Sequence, residues 1–190
     1  MRCPWAESSE LMTAYHDQEW GVPVHDDRLL FEMLNLEGAQ AGLSWQTILA
    51  RRTNYSTAFD NFDAVKIAQY DDDKRVSLLQ NEGIIRNRLK INAVIENAKA
   101  YLRIKQEYGS FDVYIWSFTK GKQITLPDRP MADALSKRMS KDLKKHGFRF
   151  VGPTTCYAFM QAVGIVDDHD TNCFRALQPI MDDMDIVSHV

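Results

Sequence analysis

A chain of 190 residues that is 45% hydrophobic, 26% charged and −3 in net charge has the composition of one folded unit with a sizeable core. No apolar run approaches membrane-spanning length, no leader-like core follows Met1, and three scattered cysteines argue against a disulfide framework, so the cytoplasm is the expected location. The acidic balance excludes a generally basic surface, so any nucleic-acid binding must come from a local patch, and nothing in the sequence demands more than a monomer.

Helical periodicity dominates. Leu29, Leu30, Met33 and Leu34 recur at helical spacing, and Glu37, four residues beyond Met33, falls on or beside that apolar stripe. A buried carboxylate is costly without a partner, and no Lys or Arg occurs between Arg28 and Arg51. Such an acid either hydrogen-bonds a neighbouring helix or faces a pocket whose missing partner is a ligand. Ile91, Ile95, Ala98 and Leu102 predict a helix over 86–105, whose Arg86, Arg88 and Lys90 suit a solvated face as well as a nucleic acid. Residues 116–130, with Gly121, Pro127 and Pro130, read as a loop. Leu135, Met139 and Leu143 mark a helix entered after Pro130 and stopped by Gly147, and Pro153 opens another that reaches Val163. Phe148-Arg149-Phe150 alternates like a strand but runs straight into Gly152-Pro153, which suits a tight turn better. The expected class is all-α.

Two features carry candidate chemistry beyond Glu37. The turn from Lys144 to Thr154 sets an apolar plug between Gly147 and Gly152, and the second glycine opens a helix. This is the helix-hairpin-helix pattern, in which a Gly-rich turn offers backbone N–H groups at a helix N-terminus. Lys144, Lys145 and Arg149 rim it with positive charge, which suits a DNA phosphate. A C-capped helix with lysines at its negative end accounts for the same residues. At the two ends of the chain, Cys3 and His16 face His169 and Cys173. The last two are four apart, hence on one face if that stretch is helical. Two thiolates and two imidazoles complete a tetrahedral structural zinc site, although Cys3 as an incidental thiol and His16 as a surface residue fit the spacing equally. Cys156 lies in an apolar helix and reads as core.

Several long motifs occur in order: Ala14-Tyr15-His16-Asp17-x-Glu19-Trp20-Gly21-Val22-Pro23, Leu36 through Trp45, Gly83-Ile84-Ile85-Arg86-x-Arg88-x-Lys90-Ile91, Asp133-Ala134-Leu135-Ser136-Lys137, Gly147-Phe148-x-Phe150-Val151-Gly152 and Tyr157-x-Phe159-Met160-Gln161-Ala162. Over about residues 1–175 the chain thereby resembles the 3-methyladenine DNA glycosylase I family of base-excision repair. The resemblance implies hydrolysis of the N-glycosidic bond of 3-methyladenine in alkylated double-stranded DNA, with free 3-methyladenine as product. It implies a helix-hairpin-helix lobe over about 25–160 beside a small lobe made from about 1–24 and 161–178; the tail 179–190 matches none of these motifs and is expected to be disordered. It also implies a structural zinc on Cys3, His16, His169 and Cys173, and no organic cofactor.

By the same resemblance Glu37 recognises the base, with Tyr15 and Trp45 as pocket partners and Trp5 and Trp20 as supporting aromatics. The DNA backbone would be held by Lys144, Lys145, Gly147, Arg149, Gly152 and Thr154. A second candidate catalytic carboxylate is Asp167, which matches by motif position the acid of the wider superfamily; the family commonly has Asn there, so this chain departs from it. Helix capping or support of His169 explains Asp167 equally well. Bifunctional relatives carry a Lys in the turn after the hairpin glycine, where it forms a Schiff base. Here the stretch is Gly152-Pro153-Thr154-Thr155, so the expectation is a monofunctional enzyme using water. A DNA-binding module without chemistry would not need Glu37, Tyr15 and Trp45, and a small-molecule hydrolase would not need the basic rim.

Overall fold

A computed structural model describes residues 1–125 and 129–176; the expected disordered tail, 179–190, lies outside the described residues. Helices follow in the order α1 (Glu10–Gln18), α2 (Asp27–Gln40), α3 (Trp45–Leu49), α4 (Arg52–Ala58), α5 (Ala64–Ile67), α6 (Asp72–Gln80), α7 (Arg88–Tyr108), α8 (Phe111–Trp116), α9 (Arg129–Lys145) and α10 (Pro153–Ala162). Local chemistry fixes many of their starts. The side chains of Ser9, Asp26, Ser44, Asp63, Asp71, Asn87 and Ser110 each accept a backbone N–H from the turn they open.

Among the described residues the all-α expectation stands apart from one parallel pair of two-residue strands, β1 (Ile124–Thr125) and β2 (Val166–Asp167). β1 falls inside the stretch expected to be loop. Two helix boundaries also shift for local reasons. α7 begins at Arg88 rather than 86 because Asn87 caps it, and it runs on to Tyr108, where Gly109 turns the chain at φ +86°. α9 begins at Arg129, so Pro130 sits in the first turn, where a missing N–H costs nothing.

α2 is the central helix. Of residues 30–39 only Glu32 escapes burial, so the helix is enclosed on every side, well beyond the stripe its spacing implies. Ring contacts lead from it outward: Phe31 to Tyr101 of α7 at 4.9 Å, Tyr101 to Phe111 of α8 at 5.0 Å, and Phe111 to Phe148 at 5.9 Å. Phe148 is the plug between α9 and α10, and full burial of such a ring stabilises by about 2–3 kcal/mol. A buried amide relay ties the same turn to the same helices. Asn35 Nδ2 donates to the Phe31 carbonyl at 2.8 Å, Asn97 Nδ2 donates to Asn35 Oδ1 at 2.9 Å, and the Arg149 N–H donates to Asn97 Oδ1 at 2.7 Å. Gly38 closes the arrangement, since a Cβ there would lie 3.2 Å from Phe150 Cβ and 3.3 Å from its carbonyl oxygen. The turn is therefore seated on α2 one residue past Glu37.

Candidate functional site

Glu37 lies near the C-terminal end of α2 and is 5% exposed. Its Oε2 is buried with no hydrogen-bond partner among the described residues. Burial raises its pKa from the ordinary 4.5 to about 8, so near neutral pH the carboxyl is held largely protonated. Two further buried atoms lack partners in the same way, the Tyr15 hydroxyl and the Trp45 indole nitrogen. All three residues line one cavity of about 330 Å³, whose wall also includes Trp5 and Trp20. Tyr15 and Trp45 meet at 5.4 Å between ring centroids, and burial followed by the nearby Glu37 carboxyl keeps the Tyr15 phenol protonated. Buried polar atoms are nearly always paired in folded proteins. Three orphans around one cavity, one carboxyl and two donors between aromatic faces, suit a flat ring with a polar edge.

The aromatic residues come from separate segments. Trp5 follows Cys3 in a 3-10 turn, Tyr15 lies on α1, Trp20 follows α1, and Ser44 caps the helix that Trp45 opens. Met12, Gln40, Ala158 and Gln161 complete the wall, and the sequence does not single them out as site residues. Gln40 was findable, being one helical turn beyond Glu37 on the same face. Gln161 Nε2 donates to Asp168 Oδ2 at 2.5 Å, and the Tyr157 hydroxyl donates to the same oxygen at 3.0 Å.

Residues 1–16 and 169–174 converge beside this cavity. The ligand atoms of Cys3, His16 and Cys173 are all buried and lie within 4.8 Å of one another. The Phe174 N–H donates to the Met1 carbonyl at 3.0 Å, and the Asp170 N–H donates to Cys3 Sγ at 3.4 Å. His169 stands next to the cluster, its ring 5.2 Å from that of His16. The stretch carrying His169 and Cys173 is not helical; a turn closed by the Cys173 N–H on the Asp170 carbonyl at 2.7 Å brings them in. His169 Nδ1 meets Asp167 Oδ1 at 2.6 Å, and its buried Nε2 has no partner among the described residues. His16 Nδ1 likewise meets Asp17 Oδ1 at 2.8 Å. Both imidazoles are thus held through Nδ1, which leaves Nε2 open to a ligand; Cys3, His16 and Cys173 are the residues that gather closely enough to hold a metal ion, with His169 beside them.

Asp167 is 5% exposed, in β2, and is not part of the cavity wall. Besides the imidazole it accepts the His169 backbone N–H at 3.2 Å.

Between α9 and α10 the chain makes the expected tight turn. Gly147 adopts φ +95°, and the Phe148 N–H donates back to the Leu143 carbonyl, the wrap expected of a glycine-terminated helix. A Cβ on Gly147 would lie 2.7 Å from the Arg103 guanidinium. Gly152 begins α10 without a side-chain cap, so the N–H groups of the first turn, Thr154 included, lack intrahelical acceptors. Lys144, Lys145, Arg149 and Thr154 are exposed around it. Lys90 behaves differently from the solvated residue its sequence context allowed. Its Nζ donates to the Ala39 and Ala41 carbonyls, both at 2.7 Å, and closes the C-terminal end of α2.

A family model described as methyladenine glycosylase matches residues 5–176. The chain is 48% identical over 177 residues to DNA-3-methyladenine glycosylase 1 of Escherichia coli (strain K12), covering 90% of this chain and 95% of that protein. A crystal structure of 3-methyladenine DNA glycosylase I is similar at a TM-score of 0.89 and 48% identity, covering 93% of this chain and all of that one (100%). A Tyr-to-Phe variant of 3-methyladenine DNA glycosylase I in complex with 3-methyladenine is similar at a TM-score of 0.88 and 36% identity, covering 93% and 98%. This chain belongs to the methyladenine glycosylase family.

Proposed function

We propose that this protein is a base-excision repair glycosylase that hydrolyses the N-glycosidic bond of 3-methyladenine in alkylated duplex DNA and leaves an abasic site. The observation that carries the reading is the gathering of Glu37, Tyr15 and Trp45, each with a buried polar atom that lacks a partner among the described residues, in the wall of one aromatic-lined cavity. The relatives' names point to the same substrate. A base taken out of the duplex supplies the missing hydrogen bonds. A base methylated at N3 is cationic within DNA, so its bond to the sugar is already weak. Glu37 accepts from the base edge; the cationic base draws its proton off to water, and the resulting carboxylate balances the charge. The rings of Trp5, Trp20 and Trp45 add stacking and cation–π attraction.

The duplex is held by the helix-hairpin-helix turn, with Gly147, Gly152 and Thr154 presenting backbone N–H groups and Lys144, Lys145 and Arg149 neutralising phosphates. The seating of that turn on α2 through Gly38 and the Asn35–Asn97 relay sets the distance between phosphate grip and base pocket. Residues 153–155 contain no Lys, which supports a monofunctional enzyme that uses water. Cys3, His16, His169 and Cys173 would hold a structural zinc that staples a terminal lobe, about 1–24 with 161–178, to the helical lobe of about 25–160. Asp167, with its carboxylate on His169 and outside the cavity wall, fits a positioning residue for that ligand better than a catalytic acid. The enzyme acts as a cytoplasmic monomer, and no helix among the described residues is long and apolar enough to cross a membrane.

The experiment is incubation with methylated duplex DNA followed by chromatography of the released bases. Release of 3-methyladenine without strand scission is the expected result. No released base at any enzyme concentration overturns the activity, and borohydride trapping of the protein on DNA overturns the monofunctional assignment.

A further inference from the structure

Trp20 belongs to two sites at once. It lines the cavity of Glu37, yet it also packs against both imidazoles of the terminal cluster. Its ring stacks on His16 at 6.1 Å with an interplanar angle of 20°, and meets His169 edge-on at 4.5 Å and 72°. Trp5 makes a parallel bridge, 5.0 Å from Trp20 and 5.3 Å from His16, only two residues beyond Cys3. The backbone leaves Trp20 little freedom. Its N–H donates to the Tyr15 carbonyl at 2.9 Å. The next residue, Gly21, sits so near His169 at φ +79° that a Cβ would lie 2.4 Å from Cε1. A ring that is 9% exposed and clasped this way cannot shift without moving either the cavity wall or the histidines.

We propose that Trp20 is a positioning residue shared by the two sites, so that the base and the metal ion bind this chain with coupled affinities. The inference rests on the function proposed above. Ordering of His16 and His169 around an ion fixes the face of Trp20 on which the base stacks. A base seated on that face in turn restrains the imidazoles. Linkage makes the effect reciprocal, with the metal tightening the base by the same factor as the base tightens the metal.

The test uses the full chain loaded with cobalt(II), whose visible bands report its ligand geometry, titrated with free 3-methyladenine. The expected result is a shift of the cobalt bands with the same midpoint as the change in tryptophan fluorescence. A cobalt dissociation constant lowered about fivefold or more by saturating base should accompany it. Trp20→Leu should retain cobalt and weakened base binding but lose the band shift. Base saturation with unmoved cobalt bands in the unaltered chain overturns the inference and leaves the proposed activity standing. A full coupling factor in Trp20→Leu overturns it as well. A chain that binds no cobalt, or no base, refutes the underlying reading and the inference with it.

Discussion

Replacement of Glu37 by Gln should stabilise the protein in a strongly pH-dependent way while weakening its site. The side chains are nearly isosteric, and a protonated carboxyl and an amide bring similar polar atoms into the pocket, so at pH 5 the two proteins should differ by less than about 1 kcal/mol. The difference grows with pH for a reason worked from the structure. Glu37 ionises near 4.5 in the unfolded chain but near 8 in the folded one. Between those values the unfolded state has released a proton that the folded state keeps, so stability falls as pH rises and levels off above pH 8. At about 1.4 kcal/mol for each tenfold change in proton affinity, the full cost of the ionised acid is about 5 kcal/mol, of which about 3 is present at pH 7. Gln carries none of it. Urea denaturation of both proteins at pH 5 and pH 9 should show a gap that opens by about 4 kcal/mol in favour of Glu37→Gln. An equal difference at both pH values would refute the claim that Glu37 is buried without a partner. A site residue whose loss stabilises the fold is the expected signature of strain held for function.

Other outcomes follow from the same structure. Lys144→Ala combined with Lys145→Ala should lower the slope of log affinity against log salt for duplex DNA by about 2, with free-base binding unchanged. Asn97→Ala strands Asn35 Oδ1 and the Arg149 N–H and should cost about 2–3 kcal/mol in denaturant unfolding. Gly38→Ala presses a methyl against Phe150 and should cost about 1–3 kcal/mol, with duplex affinity falling as the turn is displaced. Asp167→Asn should lower metal affinity about 10–100-fold in a chelator competition while single-turnover excision by the loaded enzyme is retained; loss of excision with metal still bound would return Asp167 to the catalytic residues.

The sequence made the helices and the odd acid legible because both are local signals. Capping residues, helical spacing and glycine stops are written within a few positions of the structure they cause, and Glu37 betrays itself by standing where Leu or Met would serve. What escaped depends on distant pairings. Nothing near Asn35 or Asn97 announces that they meet across 62 positions, and the two-residue strands pair Ile124 with Val166 too briefly to show a period. Gln161 and Ala158 reach the pocket from a helix whose spacing predicts only its core face. The burial of α2 on all sides was visible only in part, since spacing shows a stripe and not how many neighbours surround it. His169 and Cys173 were paired by a helical spacing that the chain does not use; a turn brings them together instead.

The most direct measurement is the dissociation constant of free 3-methyladenine, followed by tryptophan fluorescence, for the unaltered chain and for Glu37→Gln. Gln puts an amide NH2 where a carboxyl oxygen accepts from the base, and loss of one buried hydrogen bond predicts weakening of about 10–100-fold, with duplex affinity and metal content unchanged. Equal base affinity in the two proteins would contradict the account, because the cavity lined by Glu37, Tyr15 and Trp45 would then not be where the base is read.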